Sequence, residues 1–174
     1  MTNLKKLVLS SMFIAIGIVL PFFTGQIPEI GNMLLPMHIP VFLCGLICSW
    51  QYGTLVGFIL PLLRSMIFTM PPMYPKAIAM AFELCAYGFI VGLIYSKSKK
   101  QNLLWLYISM ISAMVGGRII WGIVQTVLLG FKNNPFTFTA FITSGFIEAI
   151  PGIILQLLLI PSIMLLIKKT KLKV

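Results

Sequence analysis

The sequence predicts an all-α integral membrane protein, a bundle of six transmembrane helices with the N and C termini cytoplasmic. Three observations predict it. Hydrophobic residues make up 59% of the 174 and charged residues only 9%, against about 25% charged in a soluble domain. The mean hydropathy is +1.04. The lysines cluster at the two chain ends and in one internal loop, and basic residues flanking spans are retained on the cytoplasmic side. A span needs about 20 apolar residues, so six spans with short loops fill residues 1–174 as a single transmembrane domain. An ATPase or kinase module finds no room, and no glycine-rich phosphate loop ending in Lys-Ser/Thr is present.

The first span covers about Leu7 to Phe23, behind Lys5 and Lys6. It resembles a signal peptide, but no small-residue cleavage pattern follows, so it reads as a retained span. A loop, Thr24 to Pro36, holds Gly25, Pro28, Glu29 and Gly31. Span 2, about Met37 to Ser49, is short, and Trp50-Gln51-Tyr52 makes a tight turn. Span 3 runs from about Gly53 to Phe68. The segment from Thr69 to Pro75 contains three prolines, which remove donors and fix φ, so no helix continues through it. Span 4 covers about Lys76 to Tyr95, and Ser96 to Gln101 is a basic loop. Span 5, about Asn102 to Leu129, is long enough to tilt. After a turn at Gly130 to Pro135, span 6 runs from about Phe138 to Ile167, bent at Pro151 and Pro161.

The net charge of +10 is explained by this layout rather than by nucleic acid. With Lys5 and Lys6 inside, the loop at 96–101 follows four crossings and the tail follows six. Lys97, Lys99, Lys100, Lys168, Lys169, Lys171 and Lys173 are then all cytoplasmic, and only Lys76 and Lys132 face outward. The lipid bilayer is the partner that this charge pattern implies. Cys44, Cys48 and Cys85 sit in apolar runs and read as small hydrophobes. No metal site, cofactor or disulfide framework is expected.

The chemistry resides in four charged residues within spans: Arg64, Glu83, Arg118 and Glu148. A charge at mid-bilayer costs roughly 2.5–3.5 kcal/mol, so such residues are paired, hydrated or functional. Counted from the outer span ends at about 1.5 Å per residue, they lie at depths of roughly 6, 10, 16 and 15 Å. His38 begins span 2 at the outer surface, and Gln125 lies one turn from the outer end of span 5. Five spans thus contribute polar groups to the outer half, as the wall of an outward-facing cavity would. Tyr87 shares a helix face with Glu83 at i+4. Arg118, Trp121 and Gln125 form one stripe, suited to a small flat polar molecule. Asn32, Met70, Met73 and Tyr74 lie in the outer loops and would cover a ligand. The structural alternative is two salt bridges, Arg64–Glu83 and Arg118–Glu148, that only orient helices. On span 1, Ser11 and Ala15 form a small-x-x-x-small pair. Such a pair admits a close helix neighbour, either a partner or another helix of the same bundle.

The stretch from Leu35 to Gly45, with Tyr52-Gly53 and Gly57, resembles the substrate-binding S components of energy-coupling-factor (ECF) vitamin transporters. Pro61-Leu-Leu-Arg64, Met70-Pro-Pro72, Ala79-Met-Ala-Phe-Glu83 and Tyr87-Gly88 resemble them too, and the size and basic termini match across the chain. The resemblance implies a multi-pass protein of the cell membrane that captures a small vitamin or vitamin precursor from outside. It further implies a transmembrane coupling protein and two cytoplasmic ATPases as partners, and transport by toppling of the subunit. The pattern is nearest to subunits for ring-shaped vitamins of the B6, niacin or hydroxymethylpyrimidine type. In this family the first helix carries an Ala-x-x-x-Ala contact for the coupling protein. Here Ser11 and Ala15 occupy that place, with serine as the departure. Two other classes compete. One is a self-contained secondary transporter or channel with Glu83 or Glu148 as a proton-linked carboxylate. The other is a membrane enzyme using His38 and a glutamate as acid and base, against which stands the lack of an H-E-x-x-H motif or nucleophile elbow.

Overall fold

The computed structural model describes residues 2–24, 33–98, 102–130 and 137–169. Among these residues the regular structure is helical throughout. The main helices are α1 (Asn3–Val19), α2 (His38–Cys48), α3 (Trp50–Phe68), α4 (Ile78–Lys97), α5 (Leu103–Gly130), α6 (Phe138–Ile142) and α7 (Ile150–Lys169).

Local chemistry explains several helix ends. α5 starts where the side-chain Oδ1 of Asn102 accepts the Trp105 N–H at 3.2 Å, an N-cap that satisfies one of the orphan donors of the first turn. α3 ends at Thr69, whose φ of 57° is left-handed, immediately ahead of the prolines that forbid continuation. Tyr74 precedes Pro75 and is extended at φ −114° and ψ 131°, as a residue before proline prefers. A π-turn, Met73–Ala77, then leads into α4.

Tertiary contacts set the chain direction of each helix. α1 runs against α2, with Ser10 Oγ 3.5 Å from Cys44 Sγ and Gly17 beside Pro40. α3 runs with α1, because Arg64 bonds Ile18 and Phe68 packs on Phe22. α4 runs against α3: Gly57 meets Leu84, Gly53 meets Gly88, and Trp50 meets Gly92. α5 runs against α4 through Arg118 and Glu83. α7 runs against α5, with Met164 and Lys168 beside Leu106 and Asn102. Lys168 also lies over the Tyr95 ring at 5.8 Å. The start of α1, the end of α7, the Ser49 turn and the end of α4 therefore share one end of the bundle. That end carries Lys5, Lys6, Lys97, Lys168 and Lys169.

Among the described residues five helices have membrane-crossing length, and the remaining expected span, already short in the sequence, is α2. Asn3–Phe23, Trp50–Phe68, Met73–Lys97, Leu103–Gly130 and Phe138–Lys169 are long and apolar enough to cross a membrane, whereas α2 has only 11 residues. Eleven residues rise about 16 Å, short of the ~30 Å hydrocarbon layer. α2 manages this because it is enclosed by protein, with ten of its residues buried. α1, α3 and α4 surround it, and α7 touches it as well. The segment from Met33 to Met37 enters the bundle before α2 begins, and Leu35 turns there with φ 49°.

Span 6 is one helical stretch, Phe138–Lys169, whose bend falls just ahead of Pro151. α6 gives way to a π-turn, Thr143–Ile147, and a turn at Glu148 and Ala149 precedes α7. Pro151 cannot donate to the carbonyl four residues earlier, so the break falls on its N-terminal side, and Pro151 sits in the first turn of α7 where proline is tolerated. Pro161 lies inside α7, which continues through it.

Glycines let the central helices touch backbone to backbone. A Cβ on Gly53 would sit 2.6 Å from Gly45 Cα, and one on Gly92 would sit 2.6 Å from Trp50 Cα. Small residues at such crossings allow the dispersion contacts that hold helices together in lipid. α4 is thereby clamped between α2, α3 and α5, and this places Glu83 in the interior.

Candidate functional site

The site is built on α2, α4 and α5. α4 carries Glu83 and, one turn on, Tyr87, both buried. α5 approaches with Gly117 against the Tyr87 ring, and this close approach brings the next residue, Arg118, to Glu83. Arg118 Nη1 lies 2.9 Å from Glu83 Oε1, both side chains being at most 5% exposed. The approach is an ion pair, without the alignment of a hydrogen bond. α2 supplies His38, whose Nε2 is 3.6 Å from the same Oε1. The Tyr87 ring packs edge-on against His38 and against Phe42, each with centroids 5.0 Å apart.

His38 was expected at the outer surface and is instead 1% exposed. The reason is the entry of the Met33–Met37 segment into the bundle, which starts α2 below the bundle end. Gln156 of α7 reaches the same segment, its Nε2 donating to Leu35 O at 3.5 Å. Gly152 lies against Met33 and Leu34.

The α5 stripe keeps its spacing. The Arg118 guanidinium carbon is 5.9 Å from the Trp121 ring centre. The Trp121 ring stacks on Phe141 of α6 at 6.1 Å and 25°, and Phe141 also fills the space above Gly122. Gln125 is buried one turn further along. Phe141 and Phe42 had no signal in the sequence beyond being apolar; each becomes part of the site through the helix opposite it.

Arg64 and Glu148 are placed elsewhere, and neither salt bridge envisaged from the sequence forms. Arg64 Nη1 donates to Ile18 O at 2.6 Å. Its guanidinium lies over Phe22 and Phe68 at 5.4 and 5.6 Å. It thus satisfies a carbonyl at the end of α1 and ties α1 to α3. Glu148 is exposed in the turn before α7, because the break in span 6 turns it away from Arg118. Arg118 pairs with Glu83 instead.

Of the covering-loop residues, Asn32 lies outside the described residues. Met70 and Met73 are exposed. The Tyr74 hydroxyl donates to Leu128 O, fastening the loop after α3 to the far end of α5. On α1, Ser11 and Ala15 are exposed, and packing within the bundle falls instead to Ser10 and Gly17. Leu4, Leu7, Val8, Met12, Ile16 and Val19 are exposed with them.

Several buried polar atoms of the site have no hydrogen-bond partner among the described residues: both ring nitrogens of His38, Nε and Nη2 of Arg118, and Oε1 of Gln125. A buried polar group left unpaired costs about 1–3 kcal/mol. Unpaired donors and acceptors beside an aromatic wall are what a binding site presents before its ligand arrives. Among the described residues, no three of His, Cys, Asp and Glu are grouped so as to hold a metal ion.

The family model described as "ECF transporter, substrate-specific component" matches residues 5–164. No curated protein and no solved structure matches the chain.

Proposed function

The chain belongs to the substrate-specific components of ECF transporters, and on that premise we propose that it binds a small vitamin or vitamin precursor between α2, α4 and α5 and delivers it from outside the cell membrane. It is a multi-pass membrane protein and a transport subunit. Glu83, Arg118 and His38 form the polar end of the proposed site, with Tyr87, Trp121 and Gln125 as its wall. Met70, Met73 and Tyr74 cover it.

The observation that carries this reading is the buried cluster itself. Glu83 is neutralised by Arg118 while Arg118, His38 and Gln125 retain unpaired polar atoms. A purely orienting salt bridge needs no such surplus. Arg64, engaged with α1, is assigned to holding α1 on α3.

The lysine-bearing end is proposed as cytoplasmic, since retained basic residues mark that side. The exposed face of α1 around Ser11 and Ala15 is proposed to meet a transmembrane coupling protein, which two ATPases drive. Against the reading of the chain as a self-contained transporter stands that Glu83 is held in an ion pair and that Glu148 is exposed in the turn before α7, away from the buried cluster.

Native mass spectrometry of the purified chain tests the proposal. A small molecule that co-purifies, is lost in Glu83→Gln, and is bound but not moved across liposomes by the chain alone is the expected result. Uphill transport by the isolated chain would replace the proposal with the secondary-transporter reading.

A further inference from the structure

The guanidinium of Arg118 uses only one of its edges. Nη1 faces Glu83 Oε1, while Nε and Nη2, which lie together on the other side, have no partner among the described residues. The side chain is only 5% exposed. Water is therefore a poor substitute, and two parallel N–H donors are held in a rigid plane. That fork matches two oxygens of one planar group. Beside it stand the stacked rings of Trp121 and Phe141.

We propose that the ligand is a flat-ring carboxylate, its two oxygens seated on the Nε–Nη2 edge of Arg118 and its ring against the Trp121–Phe141 wall; this rests on the reading of the cluster as the binding site. A neutral carbonyl presents one oxygen and leaves a buried donor unmet. A phosphate carries up to two negative charges next to the Glu83 carboxylate, with one arginine to balance both groups. Among the described residues no lysine belongs to the cluster. A monoanion with a planar pair of acceptors fits the donor geometry and adds less negative charge beside Glu83 than a phosphate does.

The test uses the purified full-length chain in detergent and two pairs of probes: nicotinate with nicotinamide, and 4-aminobenzoate with 4-aminobenzamide. Calorimetry should show at least one carboxylate binding tenfold or more tightly than its amide. Arg118→Lys keeps the charge but removes the fork, and should reduce that preference to below threefold. Equal or tighter binding of the amides, tighter binding of a phosphate ester such as pyridoxal phosphate, or no binding of either carboxylate overturns the proposal. The wild-type preference is decisive even where Arg118→Lys fails to fold. A co-purified ligand lacking a carboxylate, and lost in Trp121→Ala, overturns the carboxylate inference while leaving the site reading intact. A ligand unaffected by Glu83→Gln, Arg118→Lys and Trp121→Ala overturns the site reading itself.

Discussion

Arg118 on α5 and Glu83 on α4 face each other across 2.9 Å in the protein interior. Two residues 35 positions apart thereby become the charged centre of the molecule, and the other polar groups of the candidate site are arranged around them. Removing one member of a buried pair strands the other charge, at about 3–5 kcal/mol. Glu83→Gln or Arg118→Ala is therefore expected to weaken ligand binding tenfold or more, about 1.4 kcal/mol, in protein that still inserts. Titration calorimetry with the co-purified ligand checks it. Wild-type affinity in both variants would return the pair to a purely structural role.

Arg64 should behave differently. Its bond to Ile18 O and its place between Phe22 and Phe68 hold α1 against α3. Arg64→Ala is expected to lower the melting temperature of the detergent-solubilised protein by several degrees and to leave ligand affinity within threefold. A large loss of affinity at unchanged stability would place Arg64 in the binding site after all.

The Tyr74 hydroxyl tethers the loop after α3 to Leu128. Tyr74→Phe removes that bond and keeps the ring. Ligand dissociation, followed by stopped-flow tryptophan fluorescence, should accelerate severalfold. An unchanged dissociation rate would mean that the loop does not gate release.

The exposed face of α1 offers a separate readout. Ser11→Leu or Ala15→Leu fills the small-residue gap without touching buried residues. Each should cut co-purification of the coupling protein at least fivefold while ligand binding stays at the wild-type level. Full recovery of the partner by both variants would remove α1 from that contact.

Orientation is testable by labelling. In a background with Cys44, Cys48 and Cys85 replaced by alanine, Thr69→Cys should react with a membrane-impermeant maleimide added to intact cells. Ser98→Cys should react only after permeabilisation. The reverse pattern would invert the proposed topology.

Much of the molecule was determined by its sequence alone. Apolar content placed it in lipid, prolines and Asn102 set helix ends, and the i, i+3 and i+4 spacings put Arg118, Trp121 and Gln125 on one stripe and Glu83 with Tyr87 on another. These are local properties, governed by helix period and by backbone donors. Only the tertiary structure decided which stripes meet. The contact of Gly117 with Tyr87 turned Arg118 toward Glu83, the inward run of Met33–Met37 buried His38, and the break before Pro151 turned Glu148 outward. Helix rotation and depth follow from how closely neighbouring backbones approach, and that distance is a joint property of residues far apart in the chain.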